Sequence, residues 1–254
     1  MELHTETINI TVPGEQGEET MQAYLARPVD EQPAAAVIVG FELFGLTPHI
    51  QEVTRRIASL SYTAVAPDFY HRSGTAITLN DDDAGRAQGF TLLNALSRDD
   101  AVRDVAATMD ALHTDYNADA IAMVGFSVGG HIAFLAATRL ALAASVAFYP
   151  GWLTSTDVPL SRPTPTIEAT SGIAAQNEHL LVLIGEDDKL ISADDRAQIQ
   201  HALETEHVSH ELVVYPHTPH RFFCDTDPTT YTPTSASDAW DRLAALLSTR
   251  LIRA

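Results

Sequence analysis

The sequence predicts an α/β protein with a mostly parallel eight-stranded sheet and helices on both faces. Short apolar segments alternate along the chain with longer amphipathic ones. The later short segments are nearly continuous runs of Val, Ile, Leu and Ala, which is typical of strands buried on both faces of a parallel sheet. Because strand and helix alternate in this order, we expect parallel strands joined by helical crossovers.

The individual elements follow from local patterns. Thr47 and Pro48 form a helix N-cap and first turn, after which apolar residues recur at helical spacing. Ser192 is a second candidate N-cap. The predicted strands cover 7–12, 21–26, 35–41, 62–66, 120–126, 144–148, 180–184 and 211–215, and further helices are expected near 85–96, 99–113, 128–140, 192–203 and 236–251. Segment 151–176 is rich in Thr, Ser and Pro and is expected to form a long surface excursion, which either helps to shape the substrate site or is a solvated loop without a role.

Size and charge restrict the possible functions. With 254 residues and a hydrophobic fraction of 45%, the chain is expected to fold as one domain over residues 1–254. Its formal net charge of -19 disfavours binding to nucleic acid and to an anionic membrane surface, because both are negatively charged.

Cysteine content and hydropathy indicate the compartment. Cys224 is the only cysteine, so no disulfide can form within the chain. The first residues are polar and acidic, unlike a secretory signal, and no apolar stretch is long enough to span a membrane. The cytoplasm is therefore the expected location.

The segment Gly125-Phe126-Ser127-Val128-Gly129 matches the Gly-x-Ser-x-Gly pattern of a nucleophile elbow. An apolar strand enters it and an apolar helix leaves it, and this context makes the short pattern informative. Such a turn raises the Ser127 hydroxyl above the sheet, at a helix N-terminus that favours developing negative charge. We expect Ser127 to be the nucleophile of an α/β-hydrolase fold.

A serine nucleophile needs a base, and in this fold the chain order is Ser, then Asp or Glu, then His. Among the downstream histidines, His220 is favoured because it follows the last strand and precedes the apolar pair Phe222-Phe223, which could wall a pocket. His217 is the alternative. His131, on the helix after the elbow, is expected to serve in packing or as a neighbour of the site.

The acid is expected at the carboxyl end of strand 180–184, where it can orient the imidazole. Glu186, Asp187 and Asp188 all satisfy this position. Asp188 is favoured, because it stands three residues after Gly185 and the turn could direct it inward.

Together these residues resemble the dienelactone hydrolase family, the carboxymethylenebutenolidases. The resemblance extends from about 25 to 247. It depends on four segments in a fixed order, namely Phe41-Glu42-Leu43-Phe44-Gly45-Leu46, Ala66-Pro67-Asp68-Phe69-Tyr70, the elbow 124–130 and Pro219-His220-Arg221-Phe222. The family's Gly-x-x-Asp pattern also selects Asp188. The resemblance implies a triad of Ser127, Asp188 and His220.

The resemblance also implies an oxyanion hole formed by the backbone N–H groups of Val128 and Leu43, which agrees with the usual position of these donors. Cysteine is the characteristic nucleophile of the family, where a glutamate helps to control thiol ionisation. A serine hydroxyl needs no such control. Three roles stay open for Glu42: a hydrogen bond to Ser127, a hydrogen bond to substrate, or positioning of its loop.

The family binds a substrate carboxylate with two arginines. Arg86 matches the first position, with a solvated helix arginine as the alternative interpretation, whereas Cys224 stands at the second and Arg221 lies nearby without being equivalent. Dienelactone itself is therefore an unfavoured substrate. The residues expected to bind substrate are Glu42, Arg86, Arg221 and Phe222.

The function expected from the sequence is hydrolysis of a small carboxylic ester or lactone through an acyl-enzyme on Ser127, without metal or cofactor. The alternatives are a general carboxylesterase or a peptidase on the same scaffold, or a binding protein that has lost catalysis. The partner is a small molecule rather than nucleic acid or membrane, and the chain is expected to be a monomer or a homodimer.

Overall fold

The eight predicted strands form one sheet in a computed structural model that describes residues 1–14, 17–30, 33–176 and 178–251. The strands are β1 (Leu3–Gly14), β2 (Gly17–Pro28), β3 (Ala35–Gly40), β4 (Thr63–Pro67), β5 (Ala120–Phe126), β6 (Ala144–Phe148), β7 (His179–Gly185) and β8 (Ser209–Tyr215). Their order across the sheet is β1-β2-β4-β3-β5-β6-β7-β8. The pairs β1–β2 and β2–β4 are antiparallel, and all other neighbours are parallel. The predicted fold class is confirmed.

The helices are α1 (Pro48–Ala58), α2 (Asp83–Leu93), α3 (Arg98–Tyr116), α4 (Val128–Ala137), α5 (Ser171–Ala175), α6 (Ala193–Thr205) and α7 (Pro233–Arg250). Thr47 caps α1 as predicted, and Ser192 caps α6 in a reciprocal capping box with Asp195. No helix in the described ranges combines the length and the apolar character needed to cross a membrane.

The helices pack against the sheet in two groups. Helix α1 lies beside α7, where the Arg56 guanidinium carbon is 4.1 Å from the Trp240 ring centroid. Helix α3 lies beside α4, and α4 packs on the central strands β5 and β6. Helix α4 is buried along its whole length, which explains why its sequence is apolar almost all round.

Several element boundaries differ from the sequence predictions. Strands β1 and β2 pair along their full lengths, from Leu3 with Pro28 to Gly14 with Gly17, so their polar ends extend beyond the predicted apolar stretches. Helix α4 ends at Ala137 rather than at 140, because the chain tightens into a turn in which Arg139 N–H donates to the Ala136 carbonyl. Backbone hydrogen bonds, rather than apolar pattern, set these boundaries.

The predicted excursion after β6 contains only α5 and two short 3₁₀ turns, Pro159–Ser161 and Thr166–Ala169. It leaves the carboxyl end of β6 and returns to the start of β7. Because the elbow lies at the carboxyl end of the neighbouring strand β5, the excursion begins beside Ser127.

Candidate active site

Ser127 occupies a strained turn between β5 and α4. Its φ of 53° and ψ of -108° lie outside the regions that residues other than glycine usually adopt. The turn requires glycines on both sides, since a Cβ atom at Gly125 would lie 1.9 Å from the Gly129 carbonyl oxygen. The Ser127 N–H donates to the Phe148 carbonyl at 3.0 Å, which ties the turn to β6.

His220 joins Ser127 to Asp188. Ser127 Oγ lies 3.0 Å from His220 Nε2, and His220 Nδ1 lies 2.7 Å from Asp188 Oδ2. A carboxylate only accepts hydrogen bonds, so in the neutral imidazole Nδ1 carries the proton and Nε2 accepts from the serine hydroxyl. The Asp188 side chain is fully buried, whereas that of His220 is 17% exposed. The three residues therefore form one hydrogen-bonded chain.

The topology explains why these residues meet. Asp188 follows β7 and His220 follows β8, so both lie at the same sheet edge as Ser127. The second Asp188 oxygen, Oδ1, accepts from the Leu190 backbone N–H at 2.8 Å. This bond fixes the carboxylate with Oδ2 towards the imidazole.

The alternative base and acids lie elsewhere. Glu186 Oε2 accepts from the His217 backbone N–H at 3.2 Å, and both residues are exposed. The Asp187 N–H donates to the Thr218 carbonyl, and its side chain is also exposed. None of these three side chains is hydrogen-bonded to Ser127 or His220 in the described part of the chain.

The two expected oxyanion donors, the backbone N–H groups of Val128 and Leu43, lie in the turns after β5 and β3. Val128 opens α4 directly after Ser127, and Leu43 follows β3 in the turn that is held to the elbow by a 2.8 Å bond from Gly129 N–H to the Phe41 carbonyl. Neither of the two has a backbone acceptor among the residues that the structure describes. They are therefore available to an oxyanion.

Glu42 makes no bond to Ser127 in the structure. Its Oε1 accepts from the Tyr149 hydroxyl at 3.0 Å, and its Oε2 accepts from Arg221 Nε at 3.1 Å. The residue is only 3% exposed. Of the three roles left open by the sequence, these contacts support the positioning of a loop.

Arg221 is the centre of a group that we call the arginine cluster, which consists of Glu42, Asp81, Arg86, Arg221 and Asp227. Arg221 NH1 lies 2.6 Å from Asp81 Oδ2 and 3.3 Å from Asp227 Oδ2. Burial opposes the charge of Arg221, but the nearby carboxylates, led by Glu42, outweigh burial and raise its pKa. Arg86 is 53% exposed, with NH2 3.4 Å from Asp81 Oδ1. Asp81 thus lies between Arg86 and Arg221 and contacts each of them.

Phe222 is not on the open side of the site, although the sequence suggested a pocket wall. It is fully buried, with its ring centroid 5.4 Å from that of Tyr149 and 5.2 Å from that of Tyr215. The chain reverses at Arg221, whose φ is 62°, and sends Phe222 into the core. Phe222 therefore packs in the core and does not reach a surface open to substrate.

Tyr149 is a site residue that the sequence analysis missed. Its ring lies edge-on to His220, with centroids 4.9 Å apart, while its hydroxyl binds Glu42. Burial and the nearby Glu42 carboxylate raise its pKa well above the usual value, so the hydroxyl keeps its proton. Its φ of 38° is a second strained backbone angle beside the nucleophile. The only signal in the sequence is its position just after β6.

His131 anchors the excursion to the helix that starts at the nucleophile. Its Nδ1 lies 2.7 Å from the Gly151 carbonyl and its Nε2 lies 2.8 Å from Thr166 Oγ1, which also accepts from Arg98 at 3.1 Å. Complete burial lowers the pKa of His131 to about 4, so the ring is neutral at ordinary pH. His131 is thus a buried neighbour of the site.

Two aromatic side chains meet where α2 approaches the start of the excursion, and we call this pair, with the neighbouring arginines, the rim of the site. Phe90 on α2 and Trp152 at the start of the excursion meet edge-to-face, with centroids 6.3 Å apart, and Phe90 is 39% exposed. Helix α2 packs directly on the turn after β3, where a Cβ atom at Gly89 would lie 2.7 Å from Leu43 Cγ. Arg86 lies one helical turn before Phe90 on α2. Apolar and charged rim residues therefore share one short helix.

Comparison with known proteins agrees with this architecture. A candidate carboxymethylenebutenolidase from Synechocystis sp. is 31% identical over 99% of this chain and 100% of its own length. A candidate carboxymethylenebutenolidase from Escherichia coli K12 is 33% identical over 89% of this chain and 81% of its own. The crystal structure of a candidate dienelactone hydrolase from Klebsiella pneumoniae superimposes with a TM-score of 0.82 at 28% identity, covering 96% of this chain and 99% of that one.

A family model agrees with these individual relatives. The model of the dienelactone hydrolase family matches residues 21–251, a range that contains the elbow, the loop with Asp188 and the loop with His220. The chain therefore belongs to the dienelactone hydrolase family.

Proposed function

We propose that this hydrolase cleaves a carboxylic ester or lactone through a covalent acyl-enzyme on Ser127. The observation that supports it most directly is the hydrogen-bonded chain from Asp188 through His220 to Ser127 Oγ. A serine, a base and an orienting carboxylate in this arrangement are the minimum set for nucleophilic acyl transfer.

In the first half-reaction, Ser127 Oγ attacks the carbonyl carbon while His220 Nε2 takes the hydroxyl proton. Asp188 holds the imidazole by its Nδ1–H and stabilises the imidazolium that forms. The N–H groups of Val128 and Leu43 bind the oxyanion of the tetrahedral intermediate. His220 then returns the proton to the leaving alkoxide as the C–O bond breaks.

In the second half-reaction, His220 takes a proton from water, and the resulting hydroxide attacks the acyl carbon. As the second tetrahedral intermediate collapses, the bond to Ser127 Oγ breaks, His220 returns its proton to Oγ, and the carboxylic acid is released. With a lactone substrate, the alkoxide and acyl parts stay joined, so the product is a single hydroxy acid.

The contacts of Glu42 support a positioning role. Tyr149 and Arg221 occupy both of its carboxylate oxygens, and Arg221 directly follows His220 in the chain. The ion pair thereby fixes the loop that presents the base. A serine nucleophile needs no control of its ionisation, so the glutamate is free for this task.

The decisive experiment is labelling with a fluorophosphonate, followed by peptide mass mapping. We expect one adduct, on Ser127, and none on the Ser127→Ala variant. Failure of wild-type protein to react under conditions that label ordinary serine hydrolases would falsify the acyl-enzyme proposal. Rates on 4-nitrophenyl esters and on small lactones then distinguish an esterase from a lactonase.

A further inference from the structure

We infer that the site selects uncharged acyl groups, because the guanidinium groups at its rim are already neutralised by carboxylates of the chain itself. This inference rests on the proposed function and specifies its substrate class. Arg86 and Arg221 were expected to bind substrate. The structure instead places Glu42, Asp81 and Asp227 against Arg221, and Asp81 also lies against Arg86.

The guanidinium of Arg221 has an acceptor for each of its nitrogens. Nε donates to Glu42, NH1 to Asp81 and Asp227, and NH2 to Cys224 Sγ at 3.3 Å. One face of the group lies over the Phe44 ring, 5.0 Å from its centroid. With 13% of the side chain exposed, a substrate carboxylate can reach Arg221 only by displacing one of these partners.

The Asp81 carboxylate lies between Arg86 and Arg221. An acidic substrate would have to place its own carboxylate at this position to bind both arginines. One of its oxygens lies 2.6 Å from Arg221 NH1 and the other 3.4 Å from Arg86 NH2. A single carboxylate bridging two cations is the arrangement with which proteins bind an acidic ligand. Here the chain supplies that carboxylate itself, so an acidic substrate must compete with a tethered group.

The net charge of the arginine cluster and that of the whole chain also disfavour an acidic substrate. The arginine cluster combines two guanidinium groups with three carboxylates, so it carries net negative charge. The whole chain has a formal net charge of -19, which repels anions at longer range. The rim itself offers the aromatic surfaces of Phe90 and Trp152. A neutral, partly apolar acyl group fits this environment.

The test compares 4-nitrophenyl butyrate with the 4-nitrophenyl monoester of succinic acid, in which a carboxylate replaces the terminal methyl group. Enzyme-free rates are subtracted. We expect wild-type protein to favour butyrate by about tenfold or more in kcat/KM, as follows from about 1.4 kcal/mol of unfavourable charge interaction. A wild-type protein that cleaves the succinate ester equally well or better overturns the inference.

Two matched variants locate the cause of the selectivity. Asp81→Asn removes the bridging carboxylate, and Asp83→Asn removes the same charge from the exposed first turn of α2, where no cation contacts it in the described structure. We expect Asp81→Asn to shift the ratio of the two kcat/KM values towards succinate by about three- to tenfold, and Asp83→Asn by less than about twofold. Equal shifts in both variants contradict the assignment to Asp81.

The outcomes separate this inference from the proposed function. If the fluorophosphonate labels Ser127 and wild-type protein prefers the succinate ester, only the inference fails. If Ser127 is not labelled and neither ester is cleaved, the proposed function fails and the inference fails with it.

Discussion

The Tyr149 hydroxyl donates a hydrogen bond to Glu42 Oε1 at 3.0 Å, while the ring of the same tyrosine lies against His220. Tyr149 thus links the buried Glu42 carboxylate to the imidazole of His220. Arg221, which follows His220 in the chain, forms a second link through its bond to Glu42. The position of the proposed base depends on groups that never touch a reacting atom.

Replacing Tyr149 with Phe tests this link. The variant leaves one oxygen of a buried carboxylate without its donor, so we expect the free energy of unfolding to fall by about 1–3 kcal/mol. Urea denaturation measures the change. Tyr231→Phe is the control, since Tyr231 is 37% exposed, and its loss of stability should stay below about 0.5 kcal/mol. Equal effects of the two substitutions would show that the Glu42 contact does not contribute.

The Asp188→Asn variant should lose about 10³–10⁴ in kcat. Asparagine can donate to Nδ1 and so favours the imidazole tautomer whose Nε2 carries a proton and cannot accept from Ser127. Hydrolysis of 4-nitrophenyl butyrate measures the loss. The exposed neighbour provides the control, because Asp187→Asn should retain nearly full activity. A similar loss in both variants would argue against Asp188 as the orienting acid.

A side chain at Gly125 should prevent the elbow from forming. Its Cβ atom would meet the Gly129 carbonyl oxygen at 1.9 Å, so we expect Gly125→Ala to cost at least about 3 kcal/mol of unfolding free energy, because the backbone cannot yield as a side chain can. Nothing lies within 4 Å of a Cβ atom at Gly151, and Gly151→Ala should change stability by less than about 0.5 kcal/mol. Thermal or urea unfolding distinguishes the two.

We expect Glu178, just before β7, to make the free energy of unfolding depend on pH. Burial raises the pKa of its carboxyl from 4.5 to about 8, and Ser145 and Arg250 offset only part of this effect. The folded state therefore keeps a proton that the unfolded state loses. The stabilisation is complete below pH 4.5 and is lost as the pH rises towards 8, at up to about 1.4 kcal/mol per pH unit.

The Glu178→Gln variant should not lose stability in this way as the pH rises, because glutamine has no carboxyl group to titrate. Its free energy of unfolding, relative to that of wild-type protein, should rise between pH 5 and pH 8, as urea denaturation at the two pH values would show. Glu206→Gln, at an exposed position after α6, is the matched control. Parallel pH profiles for wild type and Glu178→Gln would contradict a buried, protonated Glu178.

Much of the fold could be predicted because its signals are local. The apolar runs of β5, β6 and β7 are continuous since both of their faces are covered, and the glycines of the elbow record a close approach of backbones. The chain order of Ser127, Asp188 and His220 was informative because parallel strands end at one edge of the sheet.

The contacts around Arg221 could not be predicted, because they are set by tertiary structure. Asp81 lies far from Arg221 in sequence, and no local pattern links the two. A positive φ at an arginine is not signalled by residue type, yet it decides that Phe222 enters the core. For the same reason Tyr149 was missed, since its role depends on a distant glutamate.

The proposed catalytic groups and the groups that we assign to selectivity have different structural origins. Ser127, Asp188 and His220 follow the ends of β5, β7 and β8, whereas Asp81 belongs to the loop before α2, which supplies none of these three residues. On this assignment, mutations in the loop before α2 alter the substrate charge that the site accepts and leave the three proposed catalytic residues in place. Single substitutions in that loop would then give evolution a route to new substrates along which every variant keeps the same three residues.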